Sequence, residues 1–351
     1  MTTTRVLRVD PLQPDPTALA EAAEVLLRGG LVAFPTETVY GLGAAPLDRQ
    51  AVRGIFAAKE RPATDPVIVH LPDLTGLHQL TDDPPPGLDA LAAAFWPGPL
   101  TLIVRRGPGV PAEVTAGGDT VAVRVPAHPV ARALLLAANV PVAAPSANRF
   151  SRPSPTCAEH VLTDLDGRID LIIDGGPTQV GVESTIVDLT RHPPQVLRPG
   201  GVAVEALRGL LPDLEMVARF GAESQAAPAP GQFVRHYAPA TPLHVFEGAP
   251  ATGRLALFRL AESLLAQGNR IGLLAFAEDL GALPAGLFEW IEPLGPESDP
   301  SFAAQRLYAA LRTLDAAGLD VLFARLPEPV GLGLALRDRL IRAADGKVHR
   351  A

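Results

Sequence analysis

The sequence holds a single cysteine, and that scarcity already narrows its setting. Cys157 cannot close an internal disulfide, and no Cys/His cluster has zinc-ligand spacing, so a reducing, cytoplasmic location is expected and a structural zinc is not. Long apolar runs are missing too. MTTTRVLRVDPLQPDP has no apolar signal core, and the uncharged stretch Ala90 to Val104 is cut by Pro97, Gly98 and Pro99 and is too short to span a bilayer, so no membrane partner is expected. Positive charge is in deficit. The 30 basic residues against 38 acidic ones give a formal charge of −8, so general RNA coating is not expected and any phosphate-binding surface must be local. Lysine is rarer still: Lys59 and Lys347 are the only two, every other basic residue being arginine, and Lys59 stands out on that ground.

Several motifs are absent as well. Neither lysine sits in a G-x-x-x-x-G-K-[ST] context, which excludes a P-loop enzyme. Gly331-Leu332-Gly333 begins a dinucleotide fingerprint, but Leu336 stands where the third glycine belongs, and a close-packed turn explains the pair better. Ser146 lacks a G-x-S-x-G elbow, so nucleophilic serine chemistry is not expected.

What is present is the pattern of two α/β domains, as 351 residues would suggest. Short β-rich runs at Leu31–Phe34, Val67–Leu71, Leu100–Val104, Val121–Val125, Pro141–Ala144, Leu171–Ile173, Thr185–Leu189 and Val196–Arg198 read as strands. Thr17–Arg28, Arg49–Lys59, Pro129–Asn139 and Val202–Leu211 read as helices. Three strands with no helix between them, from Leu171 to Arg198, predict antiparallel pairs in a mixed sheet. From Arg219 to Thr241 periodicity gives way to Ala, Pro and Gly, an exposed connector. Strands at Leu243–Phe246, Ile271–Phe276 and Val321–Ala324 then alternate with helices at Arg254–Ala266, Phe302–Ala316 and Leu334–Ala344, a smaller parallel βα unit. The expected boundaries are a first domain over 1–215, a linker over 216–241 and a second domain over 242–351.

Five local patterns could carry chemistry, and each admits two readings. The segment PTETVYGLG from Pro35 offers the hydroxyls of Thr36 and Thr38, a carboxylate and two glycines, which suits a ligand loop or an ordinary capped turn. Lys59 and Arg61 could grip a polyphosphate as point charge and planar fork, or simply complement a helix C-terminus. His70 fits a ligand role or a satisfied core histidine. Pro145-Ser146-Ala147-Asn148, followed by Ser154 and Thr156, closes an apolar strand where α/β sheets place ligands, or caps the next helix. Arg124, in an otherwise apolar strand, needs a partner that is either an internal carboxylate or a ligand's.

Taken in order, PTETVYGLG, KERPATDPVIVH, WPGPLTLIV, VAVRVPAHP, PSAN with its trailing SPT, ESTIVD and LRPGG resemble the YrdC-domain family of threonylcarbamoyl-AMP synthases over about residues 14–210. The HYAP connector and the GLGLALRDRLIRAA tail are similar to its long, two-domain form. The resemblance implies an α/β fold with a twisted mixed parallel/antiparallel YrdC-like sheet and a second, smaller Rossmann-like βα domain. It also implies a reaction: L-threonine, bicarbonate or CO2, and ATP give threonylcarbamoyl-AMP and pyrophosphate, with Mg2+ accompanying ATP. The downstream partner it implies is the t6A transferase machinery that modifies adenosine 37 of tRNAs, direct stable tRNA binding by this chain not being expected.

Residue by residue, the likeness assigns Lys59, Arg61, Asp65, Thr120, Ser146, Asn148, Ser154, Arg198 and Tyr237 to ATP, with Lys59 and Arg61 also catalytic and Tyr237 closing over the nucleotide. It assigns Thr38, His70, Arg124, the backbone at Ala144, and Ser184 to L-threonine. No residue is implied as a metal ligand, Mg2+ being held mainly by phosphates. Two departures stand out: Asp65 replaces the usual asparagine, and Phe150-Ser151 replaces Ser-Gly after PSAN. The rival class is a non-catalytic RNA- or nucleotide-binding YrdC-like module. Carbamoyl transfer, as in hydrogenase-maturation relatives, would need acylphosphatase and zinc-finger portions that this sequence lacks.

Overall fold

The computed structural model describes residues 3–217, 229–231 and 236–351; most of the expected linker, 216–241, therefore lies outside the described residues. The chain divides into two compact units, Met1–Phe150 with Ser154–Phe233, and Ser151–Pro153 with Val234–Ala351.

In chain order the first unit runs β1 (Arg5–Arg8), α1 (Pro16–Leu27), β2 (Val32–Pro35), β3 (Tyr40–Gly43), α2 (Arg49–Lys59), β4 (Ile68–His70), a 3-10 turn, α3 (Leu88–Phe95), β5 (Leu100–Arg105), α4 (Ala112–Thr115), β6 (Thr120–Arg124), α5 (Pro129–Ala138) and β7 (Val142–Ala143). It continues through α6 (Ala158–Leu165), β8 (Leu171–Asp174), β9 (Thr185–Asp188), β10 (Gln195–Arg198), α7 (Val204–Arg208) and β11 (Glu215–Met216). Local chemistry sets the main helix boundaries. Asp15 caps α1 ahead of Pro16, Asp48 caps α2 through the amides of Gln50 and Ala51, and α2 stops where Glu60 turns left-handed at φ 55°. Helices α1 and α5 bury Leu19, Leu26, Leu134 and Leu135 against Val32, Phe34, Leu171 and Ile173, forming one core.

The strands form two sheets. One has the order β1-β8-β2-β3 and the other β11-β10-β9-β5-β6-β4-β7, with single bridges Gly41↔Ser146 and Ala44↔Ala143 joining β3 to the β7 region. Both contain parallel and antiparallel neighbours, so the mixed α/β architecture holds. The run from Leu171 to Arg198 is not one antiparallel set, however. β8 leaves for the other sheet, where it pairs parallel with β1 and β2, and only β9 and β10 pair antiparallel. Leu171–Asp174 is apolar enough to be buried between two neighbours, and that central position forms from segments far away in sequence.

The second unit contains β12 (Leu243–Glu247), α8 (Pro250–Ala266), β13 (Ile271–Phe276), α9 (Ala277–Leu280), β14 (Trp290–Gly295), α10 (Pro300–Ala316), β15 (Val321–Arg325), α11 (Leu332–Ala343) and β16 (Val348–Arg350). Its five strands are all parallel in the order β14-β13-β15-β12-β16, a Rossmann-like arrangement. The edge strands β14 and β16 add to the three expected from sequence. β14 carries Pro293 and Glu292, as befits an edge, and β16 is only 3 residues long. Among the described residues no helix is long and apolar enough to cross a membrane.

Candidate functional site

Strand registers bring several of the expected residues to one end of the seven-stranded sheet, while Thr120, the first residue of β6, lies at the other. β4 and β6 run parallel with His70 opposite Arg124, β5 runs antiparallel to β6, and β9 begins beside the start of β5. The ends of β4, β6 and β10 and the starts of β5 and β9 therefore share an edge carrying His70, Arg124, Arg198, Thr101 and Ser184. Ser184 is held there by two neighbours: its hydroxyl shares a 2.7 Å hydrogen bond with Thr101, and Arg198 donates to its carbonyl at 3.0 Å and to its Oγ at 3.2 Å. The LRPGG turn packs tightly on this corner. A Cβ on Gly200 would lie 2.3 Å from the Glu183 carbonyl, so only glycine fits.

Lys59, the last residue of α2, is 1% exposed. Its Nζ donates to the Ser146 carbonyl at 2.6 Å and to the Asn148 carbonyl, and its own carbonyl accepts from the Phe150 amide at 2.8 Å. The PSAN turn is thus wrapped around this lysine. Burial, reinforced by Arg61, pushes the Lys59 ammonium well below its ordinary range. Arg61 pairs with Asp65 at 2.9 Å and donates to the Asp65 and Pro66 carbonyls. Asp65 is fully buried, which raises its carboxyl despite the opposing attraction of Arg61, Lys59 and Arg198. The departure from asparagine therefore places a carboxylate among three cations.

Part of the connector docks here as well. Ala229 packs with Ile68, Ile103, Ala122, Ile186 and Leu197, Pro230 accepts from Arg198 at 3.3 Å, and the Gly231 amide donates to Asp65 Oδ1 at 3.2 Å. Thr120 lines a cavity of about 170 Å³ with Pro66, Asp188, Arg191 and Pro230. Ser154 is buried and donates to Glu183 at 2.5 Å. Tyr237 belongs to the second unit, where its ring stands 5.7 Å from Tyr308 and 5.0 Å beneath the Arg339 guanidinium. Burial pushes the Cys157 thiol up to about 11, which disfavours its thiolate form.

Arg124 has an internal partner, Glu37, with Nη2 2.7 Å from Oε1 and both side chains buried. Glu37 also accepts from the Ala127 amide at 3.0 Å. A directed chain of hydroxyls continues from the arginine. Arg124 Nη1 donates to Thr38 Oγ1 at 3.0 Å, Thr38 shares a 2.8 Å bond with Thr36, and Thr36 donates to the Val39 carbonyl at 2.6 Å. Because arginine only donates and Thr36 has given its proton to Val39, Thr38 must donate to Thr36. The glycines of PTETVYGLG do not form a loop: Tyr40–Gly43 is strand β3, and Gly43 has no room for a Cβ against Phe34 and Val142. Ala144 ties its amide to the Ile68 carbonyl at 2.8 Å.

Thr101 and Glu183 were not singled out from sequence, and Glu37 entered only as the carboxylate of PTETVYGLG, without a role or partner of its own. The signal at Thr101 and Glu183 was a polar group beside an apolar run, which needs a buried partner without naming it.

His70 is 3% exposed, and burial together with Arg124 lowers its imidazole from 6.5 to about 3. It is neutral through the physiological range. Since its folded pKa lies below the unfolded one, the unfolded chain takes the proton first as pH falls. The associated stability is complete above about pH 6.5 and declines toward pH 3. Urea unfolding at stepped pH should show this slope, and His70→Gln should flatten it. Identical slopes in both proteins would disprove the assignment.

Comparisons with known proteins bear on the family and the fold. A family model described as telomere recombination matches residues 24–200, and one described as threonylcarbamoyl-AMP synthase, C-terminal domain, matches residues 202–345. The threonylcarbamoyl-AMP synthase of Pyrococcus abyssi is 42% identical over 93% of this chain and 94% of its own length, and that of Bacillus subtilis is 40% identical over 97% of both. The crystal structure of P. abyssi Sua5 complexed with L-threonine superposes with a TM-score of 0.92 at 39% identity, covering 99% of this chain and 100% of that one. Matched along nearly its whole length in sequence and in fold, the chain belongs to the threonylcarbamoyl-AMP synthase family.

Proposed function

We propose that this chain is an L-threonylcarbamoyladenylate synthase acting in the cytoplasm, joining L-threonine, bicarbonate or CO2, and ATP, with residues 1–215 as the catalytic domain. The observation that carries the reading is the gathering of Lys59, Arg61 and Arg198 around the buried Asp65 carboxylate, beside the start of β4, the strand that ends in a neutral His70 opposite Arg124. The guanidiniums of Arg61 and Arg198 against Asp65 leave an excess of positive charge suited to a triphosphate, and Lys59 adds to it once a bound anion favours its charged form.

The chemistry follows from that charge. Threonine's amine bonds to the carbon of CO2 with loss of a proton, or to that of bicarbonate with loss of water. A carbamate oxygen then bonds to the α-phosphorus as the bond to pyrophosphate breaks. Two anions must meet in line, and fixed cations in a water-poor site remove much of that penalty. In this reading Lys59, Arg61 and Arg198 hold phosphate oxygens, Ser146, Asn148, Ser154, Thr120 and Tyr237 belong to the nucleotide side, and Thr38, His70, Arg124, Ala144 and Ser184 to the threonine side. Mg2+ travels with ATP, held by phosphates and water. Among the described residues no group of three or more His, Cys, Asp or Glu has metal-binding geometry, and the Asp65 and Glu183 carboxylates already accept from Gly231 and Ser154. L-Threonine as substrate is supported by its presence in the P. abyssi Sua5 structure. The product would feed the machinery that modifies adenosine 37 of tRNA.

Pyrophosphate release from MgATP is expected to require both L-threonine and bicarbonate, with omission of either giving background rates. Nucleotide binding without such turnover would favour the non-catalytic binding module instead.

A further inference from the structure

Native interiors leave few buried polar atoms without a hydrogen bond, and each exception calls for an explanation. Three of them fall together at the edge described above. Glu37 Oε1, Arg124 Nη2 and His70 Nδ1 are all buried and make no well-aligned hydrogen bond. Glu37 and Arg124 touch as an ion pair at 2.7 Å without forming a hydrogen bond between these two atoms, and His70 sits opposite Arg124 in strand register. The rest of each group is firmly anchored. Arg124 is held by the Gly98 carbonyl at 3.1 Å and by Thr38, and Glu37 by the Ala127 amide, so the open atoms are fixed in place by their neighbours.

A buried acceptor of negative charge beside a buried donor of positive charge is the complement of one kind of small molecule, an amino-acid zwitterion. Glu37 and Arg124 sum to zero charge. A carboxylate alone would leave the seat net negative and an amine alone net positive, whereas a zwitterion adds no net charge to a site shut off from water.

We propose that Glu37 is the specificity-determining residue of the threonine side, accepting the α-ammonium at Oε1 while Arg124 receives the α-carboxylate. This rests on the reading of Arg124 as a threonine-side residue. The consequence is selection for α-amino acids over hydroxy acids of the same skeleton. After carboxylation the nitrogen still carries one N–H, which can remain on the same oxygen and orient the carbamate.

Calorimetry on the full-length, nucleotide-free protein with L-threonine and 3-hydroxybutanoate, which lacks the ammonium, tests this. The wild type should prefer threonine by about tenfold to a hundredfold, the value of a hydrogen bond to a charged group. Equal affinity for the two ligands in the wild type would overturn the proposal without recourse to any variant. Glu37→Gln keeps an acceptor for the Ala127 amide and should collapse the preference to within about threefold, mainly by weakening threonine. If the variant weakens both ligands equally, Glu37 merely props Arg124, and an unchanged preference is equally fatal. Arg124→Gln should weaken both ligands together. Affinities unchanged in Arg124→Gln would remove the threonine reading of this site itself, whereas dependence on Arg124 without dependence on Glu37 removes only the ammonium seat.

Discussion

Alanine in place of Lys59 should lower turnover about a hundredfold or more, and Arg61→Ala should do the same, the effect expected when a fixed charge is taken from a dry site. Lys59 is the stronger case because it has two tasks. It holds the Ser146 and Asn148 carbonyls of the PSAN turn, and it brings a cation whose charged form is disfavoured until an anion arrives. A triphosphate would supply that anion and restore the proton affinity that burial removes. Lys59→Arg should not rescue the rate, since a planar fork cannot fit between two carbonyls shaped around a single Nζ. Initial rates of threonine-dependent pyrophosphate release decide the matter, with circular dichroism melts to show that the variants fold. Near-normal rates in both alanine variants would remove the phosphate clamp.

The second large effect is on the fold as well as the reaction. Arg124→Leu leaves the Glu37 carboxylate buried with only the Ala127 amide, and stranding one member of a buried ion pair costs about 3–5 kcal/mol. Combining Glu37→Gln with Arg124→Leu should recover much of that loss, because no unpaired charge then remains. Urea midpoints of the two single variants and the double would check it, strict additivity being the contrary result. Threonine-dependent turnover should stay low in the double variant, separating the structural share of the pair from its part in catalysis.

Much of this architecture was legible where local chemistry and burial agree. Arg49–Lys59 reads as a helix from its spacing, and the structure starts it at the Asp48 cap and ends it at Glu60. The strands ending in His70 and Arg124 were visible as apolar runs carrying one charged or polar residue. β1 escaped notice because RVLR lies at a sheet edge with its arginines exposed, and α3 because its alanine-rich turns lie beside a Trp-Pro-Gly-Pro turn. Within the site, the need of Arg124 for a partner was plain from its apolar strand. That the partner is Glu37 depends on the turn after β2 reaching the end of β6, a contact created by the joining of separate strands. Asp65 was conspicuous as a substitution for asparagine, but its neighbour Gly231 comes from the connector, where periodicity carries no information.

The two lysines differ as sharply in surroundings as they are few. Lys347 has a side chain 80% exposed, whereas Lys59 is sealed within the first unit. An amine-reactive dye should therefore attach at Lys347 far faster than at Lys59. Mass spectrometry of the slower labelling at Lys59 would then report how often that interior opens, in the same tube and without a mutation.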